Sequence, residues 1–447
     1  MSIGVDSKIT QFCEAYHVKD ITTDAMQDAI EDWYDLYFGN DVEGEDSCQR
    51  IPYAVVTKLT QTIFSEYEAK SEDEFAQSVI KALNKKKKKA TQAMLIGGAA
   101  FLKPLIFDEK LSFVVIPRNN AIILGRNEHN EVTDIGTIEE TEGNGRFYTF
   151  FERRRVNEDG NLEIDSRLYV SEKKSQLGNR IPLATLSKYE DIDDINIIPI
   201  GNIGLIPLLC PVENCVDGSD DAVSVYASAV GLIHNINENE YQLKGEFRRG
   251  ESRVFVSNDL IKRQGDRVLN DNVFVGFDDD PEAVPITTFS PQLREQSFLA
   301  RKKEYLRNVE TVIGCKRGIL SDVEAQERTA TEVTSSAGDY NLTIIDFQQA
   351  FEEMLRNAIK IVGELLRAYR ENAPEVNDDK VIVNWGNGIL YDKSTTWSEY
   401  MTMVQAGMLK PEIAVAYYFN LPWETEADIN KIRNDYMPEM VSLLENA

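Results

Sequence analysis

The three histidines, His17, His129 and His234, fall in different segments, and none has a carboxylate or cysteine at metal-ligand spacing. Zinc binding and histidine acid–base catalysis are therefore not expected. The glycines of Gly201-Asn202-Ile203-Gly204 do not make a phosphate loop: no Gly-Lys-Ser/Thr follows them, and Pro199 and Pro207 bracket them. A phosphate-cradling loop needs that lysine and a helix start immediately after the glycines. Neither a Gly-x-Ser-x-Gly elbow nor an HExxH helix occurs. Acidic residues are so abundant that some pair always mimics a catalytic dyad, so no single pair is a signal. Cys13, Cys48, Cys210, Cys215 and Cys315 are odd in number and irregularly spaced, which describes free thiols rather than a disulfide framework. Nothing marks an active site; neither a cofactor nor an enzymatic activity is expected.

The charge balance excludes another class. Against 48 basic residues stand 75 acidic ones, a net charge of -27. Proteins that grip nucleic acid present a basic face, because counterion release from phosphates drives their binding. Two roles remain for the acid. It keeps a large assembly soluble and steers docking, or it lines a path along which DNA slides without sticking. The run Lys85–Lys89 resembles a nucleic-acid patch. Consecutive helical residues point all round the axis, however, so a solvated helical segment or loop is expected, with attraction to a neighbouring acidic subunit as the alternative.

The 447 residues imply two to four folding units. A hydrophobic share of 42% and a charged share of 28% are ordinary globular values. No apolar run approaches the roughly 20 residues of a membrane span. Met1 to Thr10 lacks the apolar core of a signal peptide, so a cytosolic, membrane-free protein is expected.

Met26, Ile30, Trp33 and Tyr37 recur at helical spacing over Asp24 to Phe38, with a capping box on Asp24 and Gln27 and Gly39 as the stop. Asp46 to Tyr67 reads as helix interrupted by Pro52, and another helix starts at Ser71 with Glu74 as its box partner. From Ser112 to Val170 the pattern turns to antiparallel strands separated by Asn119-Asn120, Glu142 to Gly145 and Asp159-Gly160. Ile195 to Ile200 adds a strand. A helix capped by Ser219 is expected to run to about Phe247, with Val223, Tyr226, Val230, Ile233 and Ile236 as its stripe. At that length it spans about 40 Å. Three short strands follow at Val254 to Val256, Asn272 to Phe277 and Val284 to Phe289. Helices are then expected from Pro291 to Ile313 and from Thr329 to about Glu371, the latter with a possible bend at Gly338. The strand Val381 to Val383 and a helical tail from Thr395 to Leu444 complete the chain.

Three stretches, in order, resemble the portal proteins of long-tailed (siphovirus-type) bacteriophages. The first is Ile203-Gly204-Leu205-Ile206-Pro207 with Gly218-Ser219-Asp220-Asp221 and Ile233-His234-Asn235-Ile236-Asn237. The second is Arg328-Thr329-Ala330-Thr331-Glu332-Val333, similar to the signature that opens the family's long helix. The third is Val381-Ile382-Val383-Asn384-Trp385 with Gly407-Met408-Leu409-Lys410-Pro411-Glu412.

The resemblance implies an α+β portal fold assembling as a ring, usually of twelve subunits, at the capsid vertex where DNA enters and leaves. It implies a wing over residues 1–217, stem helices within 218–250 and 291–313, and a β-containing clip over 251–290. A tunnel loop over 314–328, a long helix and wing strand over 329–394, and a helical crown over 395–447 follow. Expected partners are other copies of the chain, the terminase large subunit, a head-tail adaptor, the major capsid and scaffolding proteins, and double-stranded DNA in the channel. The protein would sit in the virion after assembly in the host cytoplasm. Channel residues are expected at Lys316, Arg317, Asp322 and Glu324 in the loop, and at Arg294, Arg301, Lys302 and Arg307 on the second stem helix. Asp278, Asp279 and Asp280 form the anionic clip turn expected to meet a partner.

Two other classes compete. Met401 to Phe419, with its Gly407 turn, has the outline of a helix-turn-helix regulator, but Pro411 to Asn420 offers no Arg or Lys for base readout. A hydrolase with an unrecognised carboxylate pair is the other. Particle size separates both from a ring.

Overall fold

A computed structural model describes residues 5–40, 47–107, 110–174, 176–250, 253–256, 273–275, 286–289, 292–315, 318–321, 330–369, 380–385, 393–419, 421–423 and 425–437. Two units emerge: Met1–Phe64 with Ala69–Val383, and Ser65–Glu68 with Asn384–Ala447.

The first unit begins with α1 (Val5–Tyr16), α2 (Asp24–Phe38) and α3 (Ile51–Ile63). In α2, Met26, Ile30 and Trp33 are buried as their spacing requires. Its cap is Thr23, whose hydroxyl accepts from the Met26 N–H, while Gln27 reaches back to Asp20 rather than closing a box with Asp24. Gly39, at φ 78°, ends the helix in the left-handed conformation that glycine adopts without penalty. Pro52 opens α3 instead of interrupting it, because its missing N–H would have had no helical acceptor there.

The strand β1 (Glu68–Ser71), the helices α4 (Glu74–Asn84) and α5 (Lys87–Gly97), and the strands β2 (Ala99–Phe107) and β3 (Lys110–Pro117) follow. Asp73, not Ser71, caps α4, accepting from the Ala76 N–H at 2.7 Å. The lysine run spans the corner after α4 and the first turn of α5; Lys85, Lys88 and Lys89 are exposed and Lys87 Nζ lies 5.2 Å over the Phe64 ring.

Next come β4 (Ala121–Arg126), β5 (Val132–Gly143), β6 (Arg146–Val156), β7 (Leu162–Ser171), β8 (Asn179–Ile181), β9 (Ile195–Ile198) and β10 (Ile206–Leu209). Strands β4 to β8 are neighbours in chain order, with β9 also on β7, an antiparallel meander as expected in kind, although β5 and β8 were not among the expected strands. Its register pairs Thr137 with Glu152, Phe150 with Leu168 and Leu162 with Ile198. β3, expected as the first strand of that meander, instead pairs with β2 in a smaller sheet of order β10-β2-β3, and β2 was not legible as a strand. Its sequence is an apolar run interrupted by Lys103 and Pro104. Pairing with β10 ends at Leu102, so Pro104 sits where β2 has become an edge on that side, a position that tolerates proline. Phe101, Ile123, Ile135 and Leu205 close a core between the sheets, and Phe12 and Tyr16 of α1 pack on Phe151 and Tyr169.

Gly98 joins α5 to β2 at φ 81°, and a Cβ there would lie 2.2 Å from the Ala222 carbonyl oxygen. Strain and collision act together, so Gly98→Ala should lower stability by about 2–4 kcal/mol. Denaturant unfolding checks this, and a loss under about 0.5 kcal/mol would contradict it.

The remaining elements of the unit are α6 (Val230–Arg249), β11 (Arg253–Val256), β12 (Val273–Val275), β13 (Ile286–Phe289), α7 (Glu295–Ile313), α8 (Ala330–Tyr369) and β14 (Val381–Asn384), the last paired with β1. The helix expected from Ser219 begins only at Val230. Asn214 Oδ1 instead accepts from the Val216 and Asp217 N–H groups, and Ser219 N–H donates to Asp217. Ser224 Oγ donates to the Leu95 carbonyl and the buried Tyr226 hydroxyl to the Trp33 carbonyl. These long-range bonds hold 219–229 against α2 and α5 in a shape that a helix does not provide. The helix α8 runs through Gly338 without a break.

The second unit contains α9 (Lys393–Gln405), α10 (Pro411–Phe419) and α11 (Glu426–Tyr436). Thr425 and Asp428 form a capping box at α11, and Arg433 donates twice to Glu412 Oε1, tying α11 to α10.

Candidate functional site: a helix pair and its carboxylate-anchored turn

The two helices expected as a stem pack on each other. Ile233, Ile236 and Leu243 of α6 and Val309 and Ile313 of α7 are buried, and Asn239 Nδ2 donates to the Phe298 carbonyl at 3.2 Å. The outer surface of the pair also carries apolar side chains: Tyr241, Phe247, Leu299 and Val312 are all exposed. Between the helices, β11 pairs parallel with β12 and antiparallel with β13, so the expected three strands form one small sheet. Asp278, Asp279 and Asp280 lie outside the described residues.

The cations on α7 have partners within the chain. Arg294 makes a two-pronged bond to Glu246, at 3.0 and 2.8 Å, and this ion pair and its hydrogen bonds hold the Glu246 carboxyl below its ordinary range. Lys302 Nζ bridges Glu240 Oε2 (3.0 Å) and Gln49 Oε1 (2.6 Å). Arg301 Nε donates to the Tyr305 hydroxyl and its guanidinium lies 5.3 Å from that ring centre. Arg307 lies nearly two turns before the α7 terminus, and its carbonyl accepts from Thr311 Oγ1. The structure thus brings Arg294 and Lys302 to α6 and places Arg301 along α7.

The end of α7 holds a residue that the sequence reading missed. Glu310 is fully buried. Its Oε1 accepts from the N–H groups of Gly318 (3.1 Å), Leu320 (2.6 Å) and Ser321 (2.9 Å), and its Oε2 accepts from Ser321 Oγ (2.7 Å). A carboxylate survives burial when its lone pairs are filled by donors in this way. Gly314, at φ 74°, stops α7, and the Cys315 N–H returns to the Glu310 carbonyl. Burial, then the Glu310 charge, pushes the Cys315 thiol up to about 12, so it stays protonated at neutral pH.

Of the segment 314–328, expected as a tunnel loop, the described residues Cys315 and Ser321 are buried, and the turn 318–321 is bonded to a helix side chain. Lys316, Arg317, Asp322 and Glu324 lie outside the described residues. The signal for Glu310 was available only in outline: an acid beside Val309 on the stripe that Ile313 continues, four residues before a glycine stop. Spacing does not reveal that the donors come from a later turn.

A family model described as "Phage portal protein, SPP1 Gp6-like" matches residues 59–435. The chain belongs to that family. All three portal-like stretches lie inside the matched range, with Ile206-Pro207 opening β10, Ala330 opening α8 and Val381 opening β14. The portal family is structural, so the regulator and hydrolase readings are not favoured. No curated protein matches the chain significantly. Among solved structures, a chain from "Neck of native GTA particle computed with C12 symmetry" is similar at 9% identity, with a TM-score of 0.44. The match covers 90% of this chain and 95% of that one.

Proposed function

We propose that copies of this portal subunit close into a ring at one capsid vertex, with α6 and α7 as its stem and DNA passing through the centre. The observation that carries this reading is the family match together with a helix pair that is packed on its inner side yet exposes Tyr241, Phe247, Leu299 and Val312 outside. Exposed apolar positions on both helices suit lateral packing against the next copy. Such head-to-tail contacts close by rotation. The β11–β13 sheet would be the clip, with Asp278 to Asp280 offered to a basic partner surface. The loop after α7 would face the channel, and the second unit would form the crown.

In this reading the subunit makes no covalent change to DNA. Terminase large subunit, head-tail adaptor, capsid and scaffolding proteins dock on it, first in the host cytoplasm and then in the virion. The chain's net charge of -27 would keep phosphates from settling on the wall.

Native mass spectrometry and end-on electron microscopy test the ring. Twelve copies of a 50.7 kDa chain give a particle above about half a megadalton, formed without nucleotide or metal. Only monomers or dimers across salt and protein concentration would defeat the proposal.

A further inference from the structure

A cavity of about 340 Å³ lies in the first unit between the β-sheets and the C-terminal half of α8. Its walls are apolar, with Ile106, Ile164, Ile198, Val362, Leu365 and Tyr369 among them. One charged group joins them: Arg154, which is only 6% exposed. Its Nε donates to Glu152 Oε1 at 2.7 Å, and its Nη1 donates to the carbonyls of Ile203 (3.2 Å) and Gly204 (3.5 Å). Its Nη2 has no acceptor among the described residues. Gly204, at φ 65°, permits this approach, since a Cβ there would lie 3.0 Å from Nη1.

Glu152 also receives Lys103 Nζ at 2.5 Å, so two cations share one buried carboxylate. Burial alone would raise the Glu152 pKa, but Arg154 and Lys103 overcome it and hold the carboxyl down at about 2. Glu152 therefore stays ionised and its charge is already committed. Burial lowers the Lys103 pKa, and Glu139, which bonds Lys188, acts on Lys103 through its charge as well. Arg154 Nη2 is left as a charged donor beside an apolar space without an acceptor among the described residues, and such a donor is costly. An apolar cavity with a single convergent donor is also the usual form of a small-molecule site.

We propose that this cavity binds a singly charged anionic amphiphile, a medium-chain carboxylate, with its head on Arg154 Nη2 and its chain along the α8 wall. The head supplies the acceptor that Nη2 lacks, through a charge-assisted bond, and the chain removes apolar surface from water. Such a ligand would fasten α8 to the strands β2, β7 and β9. This inference goes beyond the portal reading and stands whether or not a ring forms.

Isothermal titration calorimetry of the full chain with decanoate, decanol and acetate tests it. Decanoate should bind once per chain and raise the melting temperature. Decanol should bind at least about tenfold more weakly, because it lacks the charge, and acetate should give no measurable heat. Leu365→Trp fills the cavity and should abolish decanoate binding. Ile106→Glu, at a position 49% exposed and so safe for folding, should weaken it at least about tenfold by repelling the head. The proposal fails if decanoate does not bind, if decanol or acetate binds equally well, or if Ile106→Glu binds decanoate like the parent.

Discussion

Glu310→Ala should cost on the order of 4 kcal/mol of stability, the largest single-residue loss expected around the helix pair. The substitution removes the acceptor for three backbone N–H groups and one hydroxyl at a fully buried position. Each donor left without a partner costs about 1–3 kcal/mol, partly recovered where the turn opens to water. Glu310→Gln should lose much less. Its amide oxygen still accepts from the Gly318, Leu320 and Ser321 N–H groups, and Ser321 Oγ can turn to accept from the new amide. Denaturant unfolding gives the free energies. Hydrogen exchange at Leu320 and Ser321 reports the turn directly, and it should speed up strongly in the alanine variant and little in the glutamine one. An alanine variant with parental stability and protected turn amides would mean that Glu310 does not hold the segment.

The contrast between α7 and its anchor shows what a sequence can carry. The span of α7, the stop at Gly314, the strands β4, β6 and β7 and the long α8 were legible because each follows a local period ended by local chemistry. The start of α6 was not. Val223, Tyr226 and Val230 have helical spacing, yet Tyr226 spends its hydroxyl on Trp33, 193 residues earlier, and Ser224 bonds to Leu95. Tertiary demand overrides propensity there. The basic residues of α7 were readable as cations, but their partners were not: Glu246 lies 48 residues from Arg294, and Gln49 lies 253 residues from Lys302. Gly98 carried no signal of its own, because its need is set by the Ala222 carbonyl rather than by its neighbours in the chain.

Lys316→Ala combined with Arg317→Ala should leave ring formation and melting temperature unchanged and sharply reduce DNA packaging or retention. The pair lies in sequence between Cys315, whose N–H bonds to the Glu310 carbonyl, and Gly318, whose N–H bonds to the Glu310 carboxylate. Those bonds use neither basic side chain, so stability and function can separate at these two positions. On the proposed channel wall, Lys316 and Arg317 would supply transient phosphate contacts within a chain whose net charge is otherwise strongly negative. Removing them leaves the duplex without a guide. Asp322→Lys with Glu324→Lys should act in the opposite sense, slowing translocation by adhesion. Each added cation deepens the well that a moving phosphate must leave, and repetition around a ring multiplies the effect. The two variants should also differ in salt response: raising ionic strength should relieve the lysine variant through screening and give the alanine variant nothing. Packaging of DNA into proheads by each purified ring, at low and moderate salt, measures both effects. Parental rates and full genome retention in both variants would remove this loop from the DNA path and leave the stem helices as the wall to test.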